Sequence, residues 1–69
     1  MKPLVYWCRW QEARLRLFGR SESAVWGELA FKDHAEPFRF ELKEWILTIG
    51  EGEETRTMTL DEMGVEVDG

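Results

Sequence analysis

The chain has 69 residues, nine basic and fourteen acidic, for a net charge of −5 at neutral pH. That length allows one domain with one core over residues 1–69. The charge disfavours non-specific association with nucleic acid or anionic membranes, both of which reward positive charge.

Cys8 is the only cysteine, which excludes an internal disulfide, and an unpaired thiol makes the cytoplasm the expected location. The charge is unevenly spread: residues 1–34 carry six Lys/Arg and four Asp/Glu, residues 35–69 three and ten. Four tryptophans accompany four phenylalanines and a tyrosine. Each ring buries on the order of 150–250 Å², and small domains hide a smaller share of their surface than large ones. Some rings are therefore expected at the surface, where aromatic side chains act as binding anchors.

From the N-terminus, the apolar run before Arg9 is too short for a signal-peptide core, and no run approaches the roughly 18–20 residues of a membrane span. Leu4 to Trp10 alternates and is rich in aromatic residues. It predicts a strand with Leu4, Tyr6, Cys8 and Trp10 on one face and Val5, Trp7 and Arg9 on the other. Arg14-Leu15-Arg16-Leu17 predicts a second strand, paired with the first around Gln11-Glu12 and ending at Gly19-Arg20-Ser21. A helix over Gln11–Phe18 stopped by Gly19 is the rival, but it scatters Leu15, Leu17 and Phe18 over a wide arc.

Ala24 to Lys32 predicts a third strand, with Val25, Leu29 and Phe31 inward and Trp26, Glu28 and Lys32 outward. Gly27 on its inward face marks a bulge or a close approach. Asp33 to Pro37 reads as a loop. Phe38-Arg39-Phe40-Glu41-Leu42 is strongly amphipathic, with Phe38, Phe40 and Leu42 inward. Leu42 and Trp45 lie three apart, so a bulge or tight bend belongs at Lys43-Glu44 before the strand Trp45–Ile49. Gly50 to Glu54 is a turn, and Thr55 to Leu60 returns as its hairpin partner. Thr59 and Glu62 have capping-box spacing, which predicts one helical turn near the C-terminus, stopped by Gly64. Val65-Glu66-Val67 fits an edge strand.

The expected fold is mainly β: a single antiparallel meander or small open barrel of about five to six strands, with short connections. A helix over residues 11–18 packed on a four-stranded sheet is the alternative. The expected core is Leu4, Tyr6, Cys8, Leu15, Leu17, Val25, Leu29, Phe31, Phe38, Phe40, Leu42, Leu47, Ile49, Met58 and Leu60.

No catalytic constellation emerges, and no enzyme activity, cofactor or metal is expected. Cys8 and His34 are the only available Cys–His pair; a buried, inert thiol and a solvated loop histidine account for both. Zinc would need two carboxylates beside them, without metal spacing. The carboxylates at Glu51, Glu53, Glu54, Asp61 and Glu62 lack the pattern of a dedicated calcium loop and fit a solvated turn.

The residue types point instead to binding. Trp7, Arg9, Trp10, Arg16 and Trp26 are of the kind enriched at protein interfaces. With the acidic residues Glu51, Glu53, Glu54, Asp61 and Glu62 they form the expected partner-binding set. The predicted function is a non-enzymatic protein-binding module, an acidic inhibitor or regulator occupying the basic, nucleic-acid-binding surface of a larger protein. Small phage proteins that block host enzymes are similar to this chain in size and acidity, a likeness of composition only. Two alternatives stand beside it. One is a single-stranded nucleic-acid binder using the N-terminal Trp/Arg face. The other is a self-assembling subunit whose basic half meets the acidic half of the next copy.

Overall fold

A computed structural model describes residues 1–67. One helix, α1 (Lys2–Trp10), precedes six strands: β1 (Arg14–Arg20), β2 (Ala24–Ala30), β3 (Ala35–Glu41), β4 (Ile46–Ile49), β5 (Arg56–Leu60) and β6 (Glu66–Val67). A single 3-10 turn over Gly52–Glu54 lies between β4 and β5. The strands form one open antiparallel sheet in chain order, a pure meander.

The predicted first strand is a helix, and with it the predicted hairpin around Gln11-Glu12 disappears. Pro3 stands in the first turn, where its missing amide hydrogen costs nothing and its fixed φ suits a helix. Both periods put Leu4 and Cys8 on one face. They differ over the rest: helical spacing adds Pro3 and Trp7 to the buried stripe and leaves Tyr6 half-buried and Trp10 exposed.

The helix stops without a glycine. Ala13 N–H donates to Cys8 C=O (2.8 Å) and Glu12 N–H to Arg9 C=O (3.2 Å), with Glu12 left-handed at φ 56°. These are the two bonds of a Schellman cap with glutamate in the usual glycine position. The helical turn expected near the C-terminus is also absent. Thr59 is a β5 residue paired with Ile46 and Val67. The Asp61 carboxylate instead accepts from the amides of Met63 (2.8 Å) and Val65 (2.9 Å), closing a tight loop.

The sheet follows its predicted alternation closely. Val25, Leu29, Phe38, Phe40, Leu47, Ile49 and Leu60 meet Leu4, Trp7 and Cys8 of α1 in one core, with Ala13, Leu15, Phe31, Leu42 and Met58 packed around it. Trp7, expected outside, is 6 % exposed and meets Phe31 edge-on, at 6.5 Å between centroids. Leu17, expected in the core, is 47 % exposed, because β1 is an edge strand and Leu17 faces Gly27, which has no side chain to meet it. A bulge at Phe18 shifts the β1–β2 register between Leu17 and Gly19. Gly27 is required there: a Cβ would run into the Arg16 carbonyl oxygen.

β3 begins two residues before Pro37, earlier than predicted. Pro37 is tolerated because β4 has already ended beside it, and its carbonyl still accepts from the Gly50 amide at 2.9 Å. The slip between Leu42 and Trp45 is a tight hairpin bend, with Trp45 left-handed at φ 56°.

Candidate functional site

Helix α1 and the Asp61 loop build the most distinctive surface. Tyr6, Arg9 and Trp10 lie at i, i+3 and i+4 on one flank of the helix, beside the buried stripe. The loop passes directly over this helix. Gly64, at φ +77°, packs so closely that a Cβ would lie 2.5 Å from the Trp7 nitrogen and 2.7 Å from the Pro3 oxygen. That contact sets Met63 and Val65 next to the helix flank.

Trp10 is 68 % exposed, and it is tied to the loop by one hydrogen bond. Its indole Nε1–H donates to the Met63 carbonyl at 3.3 Å. The ring thus stands as a partition between two open hollows. One, of about 340 Å³, is lined by Tyr6, Arg9, Trp10 and Met63. The other, of about 290 Å³, is lined by Trp7, Trp10, Gln11, Gly64, Val65 and Glu66. Met63 and Val65 are 58 % and 48 % exposed. The sequence pattern missed Tyr6, Met63 and Val65 as surface partners of Trp10. The i, i+3, i+4 spacing of Tyr6, Arg9 and Trp10 is the signal that a helical reading would have used.

The other expected binding residues are dispersed. Trp7 is in the core, with only its edge reaching the floor of the second hollow. Trp26 lies on the sheet face opposite the helix, its indole packed against Gly19, where a Cβ would meet the ring at 2.6 Å. Phe18 joins that face, with the Arg16 guanidinium 5.7 Å from its centroid. The arginines here are already paired: Arg16 with Glu28 at 3.4 Å, and Arg39 with Glu41 at 2.7 Å. Phosphates would have to displace those carboxylates.

The acidic segment is split in two. Glu51, Glu53 and Glu54 surround the β4–β5 turn, whereas Asp61 and Glu62 follow the far end of β5. Five residues of strand separate them, about 17 Å at roughly 3.4 Å per residue. Asp61 has a structural task in its own loop, and Glu62 is exposed.

His34 and Cys8 are both engaged elsewhere. The His34 ring stacks on Phe31 with centroids 4.9 Å apart. Its Nδ1 faces the Asp33 carboxylate at 2.7 Å and its Nε2 faces Glu36 at 3.2 Å. The hydrogen bonds to Asp33 and then Glu36 raise the imidazole pKa, and His34 in turn lowers that of Asp33. Both ring nitrogens are thus turned toward nearby carboxylates. Burial lifts the Cys8 thiol to about 11, so it stays protonated at neutral pH. Among the described residues, no three His, Cys, Asp or Glu side chains are grouped to hold a metal ion, and no helix is long and apolar enough to cross a membrane.

No protein-family model matches this chain, and no curated protein or solved structure matches it either.

Proposed function

We propose that this protein is a non-enzymatic binding module that docks on another protein through the Trp10 surface. The observation that supports this most is an indole two-thirds exposed whose Nε1–H bonds to the Met63 carbonyl, a contact that biases the ring toward one orientation. An anchor oriented before binding loses less freedom on binding. Tryptophan and arginine, here Trp10 and Arg9, are prominent among hot-spot residues. The hollows on either side of the ring supply recesses for a partner's apolar side chains. Glu62 and Glu66 border this surface in sequence, and the net charge of −5 favours a partner with a basic rim. The cluster at Glu51, Glu53 and Glu54 lies apart from the anchor and acts on association rate and orientation.

The test begins with capture from the source cells using the parent and Trp10→Ala, then titrates the purified partner against both. Trp10→Ala should retain the fold and weaken binding by about 2 kcal/mol or more, the usual hot-spot threshold. Trp26→Ala should bind like the parent. A folded Trp10→Ala variant with undiminished affinity refutes the assignment.

A further inference from the structure

The edge strand β1 is a second surface with its own chemistry. Among the described residues its only partner in the sheet is β2, while α1 contacts it from one face. Among the described residues, no backbone group of residues 14–20 bonds outside that ladder. Every second residue therefore turns an amide and a carbonyl outward. Edge strands in this state accept an added strand unless something blocks them.

The regular portion ahead of the bulge is Arg14-Leu15-Arg16-Leu17, and its two faces ask for different things. Leu15 and Leu17 share the face that carries the core, where Leu17 is 47 % exposed for want of a neighbour. Arg14 and Arg16 share the opposite face. Both are exposed; Arg16 also contacts Glu28 at 3.4 Å and lies 5.7 Å from the Phe18 ring, so an incoming carboxylate shares or displaces the Glu28 contact. Residues 14–20 contain three arginines and no carboxylate, within a protein that is acidic overall. These arginines would repel a second copy of the same strand, an ordinary protection of sheet edges. The same charges attract a strand of opposite sign.

We infer that β1 accepts, by strand addition over Arg14–Leu17, an extended acidic segment of a partner protein in which apolar and acidic residues alternate. The apolar side chains of that segment cover Leu15 and Leu17, its carboxylates meet Arg14 and Arg16, and its backbone completes the open ladder. The inference is independent of the Trp10 surface, which lies on the helix.

The experiment is an NMR titration of the isotope-labelled protein with a short peptide alternating valine and glutamate. Its controls are a valine–lysine counterpart and a scramble of the same composition. The acidic alternating peptide should shift the amides of residues 14–17 and slow hydrogen exchange at every second one. Both controls should bind at least about tenfold more weakly, as should the peptide to the double variant Arg14→Glu/Arg16→Glu. Trp10→Ala should bind the peptide like the parent, which separates this result from the fate of the Trp10 reading. If the charge reversal compromises folding, Arg14→Gln/Arg16→Gln replaces it, and the comparison of the peptides on the parent decides alone. Absence of shifts in β1 would overturn the inference. Equal binding of the scramble would show bulk charge attraction in place of strand addition, and overturn it too. Sedimentation of the protein alone as a dimer that the charge reversal dissolves would assign the edge to a second copy, with the same consequence.

Discussion

Gly64 is the residue whose replacement tests the architecture most directly. It holds φ at +77° while its Cα rests on the turn of α1 between Pro3 and Trp7. Two costs follow for Gly64→Ala. An L side chain in the left-handed region costs roughly 1–2 kcal/mol. The new methyl would also sit 2.5 Å from the Trp7 nitrogen and 2.7 Å from the Pro3 oxygen. Both are backbone atoms of one helical turn, so relief requires the loop and the helix to separate. Overpacking of that kind costs about 1–3 kcal/mol, for a sum of roughly 2–5 kcal/mol.

Gly52 supplies the internal control. It too is left-handed, at φ +62°, but a Cβ there meets nothing within 4 Å. Gly52→Ala should therefore show the conformational cost alone, roughly 1–2 kcal/mol. Urea denaturation followed by circular dichroism measures both variants. The expected result is a Gly64→Ala loss clearly beyond that of Gly52→Ala, accompanied by movement of the Trp10 indole N–H resonance as its bond to Met63 is disturbed. Equal losses in the two variants would mean that the loop does not pack on the helix as described, and the seating of Trp10 would fall with it.

Phe40 is wholly buried between Val25 and Leu47 in the sheet; Phe40→Ala should cost about 3–5 kcal/mol by denaturation, and a loss below about 1 kcal/mol would contradict the assigned core. Glu12→Gly should stabilise by about 0.5–1 kcal/mol net, since it relieves the left-handed glutamate at the helix cap while loosening the unfolded chain; a loss of stability would refute the cap. Cys8 should react slowly with a thiol reagent in the folded protein and rapidly after unfolding, because burial holds its pKa near 11; equal rates would place it at the surface. The raised pKa of His34 contributes stability that is fully present below the ordinary histidine value of 6.5 and is lost as pH rises through the folded value. The opposite shift of Asp33 contributes stability above its ordinary 3.8 that is lost as pH falls through its folded value. An NMR titration of the His34 ring should give a midpoint above 6.5, and one at or below it would refute the double hydrogen bond.

The sheet was largely legible because its strands alternate against a single core. Phe38, Phe40 and Leu42 announce one face, and the break in parity at Trp45 announces the bend. The helix was not legible by the same rule. Leu4 and Cys8 are four apart, a separation that suits both a strand face and a helix face, and the aromatic residues between them favoured the strand. Its termination signal was hidden as well, because a glutamate at position 12 takes the conformation usually reserved for glycine. Gly19, expected to end the strand or, in the rival reading, to stop a helix, instead lies inside β1 and makes room for the Trp26 ring beside a bulge. Leu17 failed for a different reason: its parity was right, but alternation cannot reveal that a strand has a neighbour on only one side.

That one misreading of period also decided where the candidate site lay. As a strand, residues 4–10 would expose Trp7, bury Tyr6 and put Trp10 at the end of the Tyr6 face. As a helix, they bury Trp7 against Phe31 and put Tyr6, Arg9 and Trp10 on one flank. The stripe that attaches the helix to the sheet and the flank that offers Trp10 to a partner are thus adjacent sides of the same two and a half turns. Docking of the helix is then a condition for presentation of the anchor. Substitutions that loosen the buried stripe, such as Leu4→Ala, should reduce partner binding even though Leu4 is fully buried and touches no ligand. Raising stability elsewhere in the sheet should restore that loss, whereas it should not restore the loss caused by Trp10→Ala. If added stability rescues both variants alike, Trp10 serves the fold alone, and the anchor must be sought on another surface.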